Sequence, residues 1–153
     1  MSPHALYPLF NFGILAPWAL LVFLPRWKWT QRLVHGAVVP VLLCIAYALL
    51  LVSVMTSKTV PPDAGGSSLE GVMKMFQVPA LALVCWIHYL VFDLFVGAWI
   101  LRDGQRRRVS HLAIAPCLVL TLFFGPIGLS VYLVARYVKT RTLSLVEDAG
   151  APA

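Results

Sequence analysis

Charge is what this sequence has least of. Asp, Glu, Lys and Arg make up 12% of its 153 residues, and only six are acidic. A soluble globular domain carries roughly 25% charged residues, so half that share would leave its surface uncovered. A soluble single domain and a disordered chain are thereby excluded. Cysteine is scarce as well. Cys44, Cys85 and Cys117 each fall inside an apolar run with no CxxC spacing. That excludes a disulfide-stapled fold and a cysteine metal cluster, and leaves three small buried hydrophobes. No internal repeat is present. No basic n-region precedes the first apolar run, and no Arg/Ser-rich transit segment does either, so no secretory or organellar leader is expected and the chain reads as complete.

What is present in excess is hydrocarbon: hydrophobic residues account for 60% of the chain. An integral membrane protein follows. Leu6 to Leu24, Leu33 to Ser57 and Val109 to Ala135 hold no formal charge, and Met75 to Leu101 holds one, Asp93. Each run supplies the roughly 20 apolar residues needed to cross a hydrocarbon core about 30 Å thick. Backbone groups in lipid must be paired internally, so these are helices; the alternation of a membrane barrel is missing. The expected fold is all-α, a polytopic bundle of four transmembrane helices over residues 1–141. The spans fall at about 6–24, 34–56, 78–101 and 110–136, with a disordered tail over 142–153.

The net charge of +6 does not point to nucleic acid, because the basic residues sit at the ends of the apolar runs, where they set topology and meet anionic headgroups. Arg26, Lys28, Arg32, Arg102, Arg106, Arg107 and Arg108 fall on one side of a four-span topology, against Lys58, Lys74, Arg136, Lys139 and Arg141 on the other. Both termini are then expected outside a bacterial inner membrane, with Trp27, Trp29 and Trp99 as an aromatic belt at the cytoplasmic interface. Between spans two and three, Pro61-Pro62-Asp63-Ala64-Gly65-Gly66 is a strong breaker. Ser67 with Glu70 then reads as a capping box, opening a short interfacial helix that turns into span three at Pro79. The other reading of that stretch is a longer third span.

An ionisable residue inside a span costs roughly 2.5 to 3.5 kcal/mol on insertion scales, which invites a functional reading of Asp93. Helical spacing puts it on one face with Trp86, Tyr89 and Gly97. A matching stripe in span four runs through Cys117, Thr121, Gly125, Gly128, Tyr132 and Arg136. With spans three and four as a hairpin turning at Arg102–Ser110, Asp93 is expected level with Cys117 and Leu118, and Trp86 level with Gly125-Pro126. Pro126 removes a backbone donor, and Gly125 and Gly128 leave the backbone open. The expected site is a cleft between these two helices, with Asp93 and His88 as its candidate functional groups and Trp86, Tyr89, Gly97, Thr121, Gly125, Pro126 and Gly128 around a ligand. The structural alternative has Asp93 hydrogen-bonded to Thr121 or Tyr89, the Gly-Pro-x-Gly as a mere kink, and His88 as an interhelical donor. His88 and Asp93 are five residues apart, about 140° around a helix. His35 and His111 fall at the cytoplasmic end, far in depth from His88, so no metal site is expected.

The string Trp86-Ile87-His88-Tyr89-Leu90-Val91-Phe92-Asp93-Leu94-Phe95-Val96-Gly97, with Phe124-Gly125-Pro126-Ile127-Gly128, resembles the neoxanthin-synthase-like membrane proteins, the plant abscisic-acid-deficient-four proteins and their bacterial relatives. The likeness covers Gly66 to Arg136, with Ser68-Leu69-Glu70-Gly71, His111, Pro116 and Cys117. Pro17-Trp18 and Leu24-Pro25-Arg26-Trp27-Lys28 fit more loosely. The resemblance implies a role near the conversion of violaxanthin to neoxanthin, as catalyst or as helper. With no long plastid-targeting extension, this chain is expected to handle another carotenoid or isoprenoid lipid. Opening an epoxide to an allene moves one proton off carbon and one onto oxygen, which needs a base and an acid and no cofactor. Asp93 would be the base and His88 the acid of an isomerase. The competing class is a non-catalytic membrane protein that binds lipid or carotenoid or steadies a partner enzyme.

Overall fold

The computed structural model describes residues 2–57, 59–142 and 144–145, and every regular element among them is helical. The first apolar run forms α1 (Pro3–Gly13) and α2 (Leu15–Phe23). Ser2 caps α1, its Oγ accepting from the Ala5 amide at 3.3 Å. The break at Ile14 follows from Pro17, which has no N–H to give the Gly13 carbonyl and whose ring crowds it. A π-helical turn (Thr30–His35) leads to α3 (Val38–Thr56) through Ala37 at φ 62°. Then come α4 (Leu69–Gln77), α5 (Pro79–Arg106), α6 (His111–Phe124) and α7 (Pro126–Thr140). Three stretches, Pro3–Phe23, Val38–Thr56 and Pro79–Arg106, are long and apolar enough to cross a membrane.

The 28-residue α5, about 42 Å long, is the axis of the fold. The first stretch runs parallel to it: Tyr7 meets the Trp86 ring at 6.1 Å, Trp18 lies over Gly97, and Gln105 donates to the Pro25 carbonyl at 3.4 Å. Helix α3 runs antiparallel, with Val54 against Leu81 and Val84, and Tyr47 beside His88. The main core gathers where α2, α5, α6 and α7 meet, around Trp18, Leu21, Leu94, Leu101, Ile114, Leu118 and Tyr132.

The expected fourth span at 110–136 is two helices, of 14 and 15 residues, and they fold back on one another. Pro126 cannot donate to the Leu122 carbonyl, so α6 has to end there. Gly125 sits at φ +37° and ψ −93°, and Gly128 packs so closely onto Thr121 that a Cβ would overlap its backbone. Helix α7 then retraces α6 and runs parallel to α5. Trp99 meets Tyr132 edge to face at 5.7 Å, and Arg136 reaches Asp103. The tip of this α6–α7 hairpin lies at Asp93, half-way along α5.

Several expectations change as a result. Helix α5 does not stop at Leu101 but carries Asp103 and Gly104, both buried, and turns only at Arg107 to Ser110. Gly104 therefore packs on Ile114, and in the same antiparallel register Asp93 packs on Gly125. The expected level with Cys117 and Leu118 is off by about two helical turns. The termini were expected on one side; instead Pro3 lies at the Pro79 end of α5 and α7 finishes at the Asp103 end. The stretch before α5 is a separate helix, α4, ended at Val78 because a residue preceding proline is pushed out of the α region. Its cap is Ser68, not Ser67: Ser68 Oγ accepts from the Gly71 amide at 3.0 Å. Of the expected tail, residues 143 and 146–153 lie outside those described. The Ser144 carbonyl accepts a hydrogen bond from Arg136, and Leu145 borders an apolar hollow together with Trp99, Leu129 and Leu133.

Candidate functional site at the hairpin tip

Asp93 lies half-buried on α5 with its carboxylate against the glycine that joins the two arms of the hairpin. A Cβ on Gly125 would come within 2.7 Å of Asp93 Oδ1, so only glycine leaves room for the acid there. The break strips partners from the last carbonyls of α6 and the first amides of α7. The first turn of α7 also carries the positive end of that helix's dipole, a favourable setting for a carboxylate. Asp93 makes no hydrogen bond to Thr121 or Tyr89 among the described residues, and Thr121 Oγ1 instead donates to the Cys117 carbonyl at 2.8 Å.

Because the hairpin stops at Asp93, the half of α5 from Pro79 to Tyr89 is left without a helix on that side. A groove of about 460 Å³ occupies part of it, walled by Tyr7, Phe76, Pro79, Leu83, Trp86 and Tyr89. Tyr89 is one helical turn from Asp93. From Pro79 to Asp93 the helix rises about 21 Å, a length suited to an extended hydrocarbon chain.

The other expected residues divide. Pro126 joins Asp93 and Gly125 at the tip. Gly97 is filled by the Trp18 ring, and Thr121 and Gly128 are packed on each other, so these three hold helices together and line no open space. His88 faces the opposite side of α5. Its ring lies 4.6 Å from Phe92 and 5.9 Å from Tyr47, in a second groove of about 410 Å³ with Leu81, Val84 and Cys85. Tyr89 lines both grooves. The structure thus does not bring Asp93 and His88 into one site.

Sequence reading also took Asp93 for the sole acid within a span and missed a buried polar cluster. Asp103 is 3% exposed, and Tyr132 and Arg136 are completely buried. Tyr132 donates its hydroxyl to Asp103 Oδ2 at 2.6 Å, Arg136 Nε lies 3.0 Å from the same oxygen, and Arg107 Nε donates to Oδ1 at 2.9 Å. The run of arginines around Asp103 reads as a loop, which hid it. The available signal was Asp103 four residues before Arg107, matched by Tyr132 four before Arg136.

Residues 5–132 match the model of the ABA DEFICIENT 4-like family. Protein ABA DEFICIENT 4, chloroplastic, of Arabidopsis thaliana is 26% identical over 129 residues, which cover 81% of this chain and 57% of that protein. The chain thus spans little more than half the length of that relative. No solved structure matches it.

Proposed function

The chain belongs to the ABA DEFICIENT 4-like family, and from that premise we propose that it is a multi-pass membrane protein acting as a cofactor-independent isomerase of a carotenoid or isoprenoid chain. It crosses the membrane three times and dips into it a fourth time with the α6–α7 hairpin, in place of four full spans. Helix α4, whose apolar residues Leu69, Met73 and Phe76 are exposed, lies along the membrane surface at the groove mouth. Among the described residues, all Lys and Arg except Lys74 belong to the end of the bundle that holds the α2–α3 connection, the α5–α6 turn and the end of α7. By the excess of basic residues that end is cytoplasmic in a bacterial inner membrane, with the N-terminus outside and the C-terminal end of α7 inside.

The single observation that carries the reading is the Asp93 carboxylate against the hairpin tip, one helical turn beyond the apolar groove that Trp86 and Tyr89 line. Helical re-entrant elements of this kind are tolerated at membrane depth only where protein or a cavity satisfies their broken backbone, and substrates are bound there. The polyene lies along Trp86 and Tyr89 with its ring at Asp93. Asp93 takes the proton from carbon, the C–H electrons form the new double bond, the epoxide C–O bond breaks, and the oxygen is protonated to an alcohol. Atoms and electrons balance without a redox partner. The proton that Asp93 takes from carbon is the one the oxygen receives, so a single carboxyl serves as base and then as acid; His88, expected as the acid, lies in the other groove.

The separation of His88 from Asp93 favours a second reading, a non-catalytic protein that holds lipid or carotenoid in the two grooves or steadies a partner enzyme. Purified protein in liposomes, given an epoxy-carotenoid and no additive, decides between them. Isomer formation that falls at least about 100-fold in Asp93→Asn, with elution and melting unchanged, supports catalysis. Retained pigment with no turnover supports the binder. Loss of folding in Asp93→Asn returns the residue to a structural role.

A further inference from the structure

At the basic end of the bundle, away from the hairpin tip, a separate cavity of about 580 Å³ lies between the α2–α3 connection and the α5–α6 turn. Its polar lining is Arg26, Gln105, Arg108, Ser110 and His111. Among the described residues neither Arg26 nor Arg108 is paired with an acid, and Asp103, the acid within α5 nearest them in sequence, is already held by Arg107, Tyr132 and Arg136. His111 Nε2 bonds the Val22 carbonyl at 2.7 Å, which fixes its ring, and Gln105 Nε2 is turned to Pro25. Ser110 precedes the 14-residue α6 without a side-chain capping bond, and Ser110 and His111 at this helix start line the cavity. Beside it, Phe23 and Leu112 are 77% and 86% exposed, an apolar margin next to a cationic cavity.

We infer that this cavity is a binding site for a phosphate group, supplied by the headgroup of an anionic membrane lipid whose acyl chains lie over Phe23 and Leu112. Two unpaired guanidinium groups recognise phosphate oxygens through charge-assisted hydrogen bonds, and the helix start adds partial positive charge. Basic cavities between helices at a membrane face take anionic headgroups in this way. The site is distinct from Asp93 and its groove and does not rest on the isomerase reading.

The test uses the full chain in a non-ionic detergent, with native mass spectrometry and added dioleoyl-phosphatidylglycerol, dioleoyl-phosphatidylcholine or inorganic phosphate. Phosphatidylglycerol is expected to bind in preference to phosphatidylcholine, and Arg26→Gln/Arg108→Gln to weaken it about 30-fold. Arg32→Gln, at the same end but outside the cavity, is the control and leaves binding unchanged. If inorganic phosphate binds with the same dependence on Arg26 and Arg108, the phosphate site stands and its ligand comes from solution as well as from lipid. Equal binding of the two lipids, or an equal loss in Arg32→Gln, overturns the proposal. Both arginines are exposed, so the variants fold; an unaltered elution volume verifies it.

Discussion

Replacing Asp103 by Asn removes one negative charge from the place where α5, α6 and α7 meet, and changes almost nothing in shape. In the native chain that charge serves two guanidinium groups and a phenol, at 2.9, 3.0 and 2.6 Å. Arg136 is completely buried and cannot recover water when its partner is neutralised. Arg107, with 18% of its side chain exposed, recovers part of its hydration. Removing one member of a buried pair costs about 3–5 kcal/mol, because it leaves a charge uncompensated. Tyr132→Phe keeps the ion pairs and loses one hydrogen bond to a charged group, about 1.5–3 kcal/mol. The double change Asp103→Asn/Arg136→Met removes both ends and is expected to cost clearly less than the sum of the singles. The measurement is denaturant unfolding of the purified protein in micelles, followed by tryptophan fluorescence, since Trp99 packs on Tyr132. Asp103→Asn within about 0.5 kcal/mol of the parent, or less costly than Tyr132→Phe, would refute a charge-locked hairpin.

Three further outcomes follow from the same geometry. Gly128→Ala drives a methyl into the Thr121 backbone, which cannot swing aside as a side chain can, and is expected to lose about 3 kcal/mol or more in the same unfolding assay; a neutral result would mean the α6–α7 contact is not that close. Single cysteines at Ser2 and Arg141, in a chain with Cys44, Cys85 and Cys117 replaced by Ala, are expected to react with an impermeant maleimide from opposite sides of a sealed vesicle. Labelling from one side would restore four full crossings. Lys74 beside Asp63 holds that exposed carboxyl below the usual carboxylate range, chiefly through their hydrogen bond. Any stability the pair adds is present above the unfolded carboxylate pKa and fades as pH falls through the folded one. Lys74→Gln should move the Asp63 titration, read by carbon NMR, back up to the ordinary value.

The hairpin tip shows how far local reasoning reaches. Gly125-Pro126 marks a break in any reading, because proline lacks a donor whatever surrounds it. Asp93 stands out as readily, since an acid in an apolar run is costly anywhere in the run. That the two touch was not legible. Their meeting depends on where α5 ends, and Arg102 and the arginines after it signal a loop as strongly as they signal a charged helix end. Gly97 misled in another way: small residues at helical spacing announce close approach without saying of what, and the Trp18 ring takes the space expected for a ligand.

Composition and the length of the apolar runs, by themselves, determined a helical membrane protein and its approximate helices, because hydrocarbon burial and internal pairing of the backbone act residue by residue along the chain. Only the tertiary structure decided that the last run doubles back. At a helix break the chain is free to continue in many directions, and the choice was made by contacts between residues far apart in sequence: Thr121 with Gly128 across the bend, and Asp103 with Tyr132 and Arg136 beyond it.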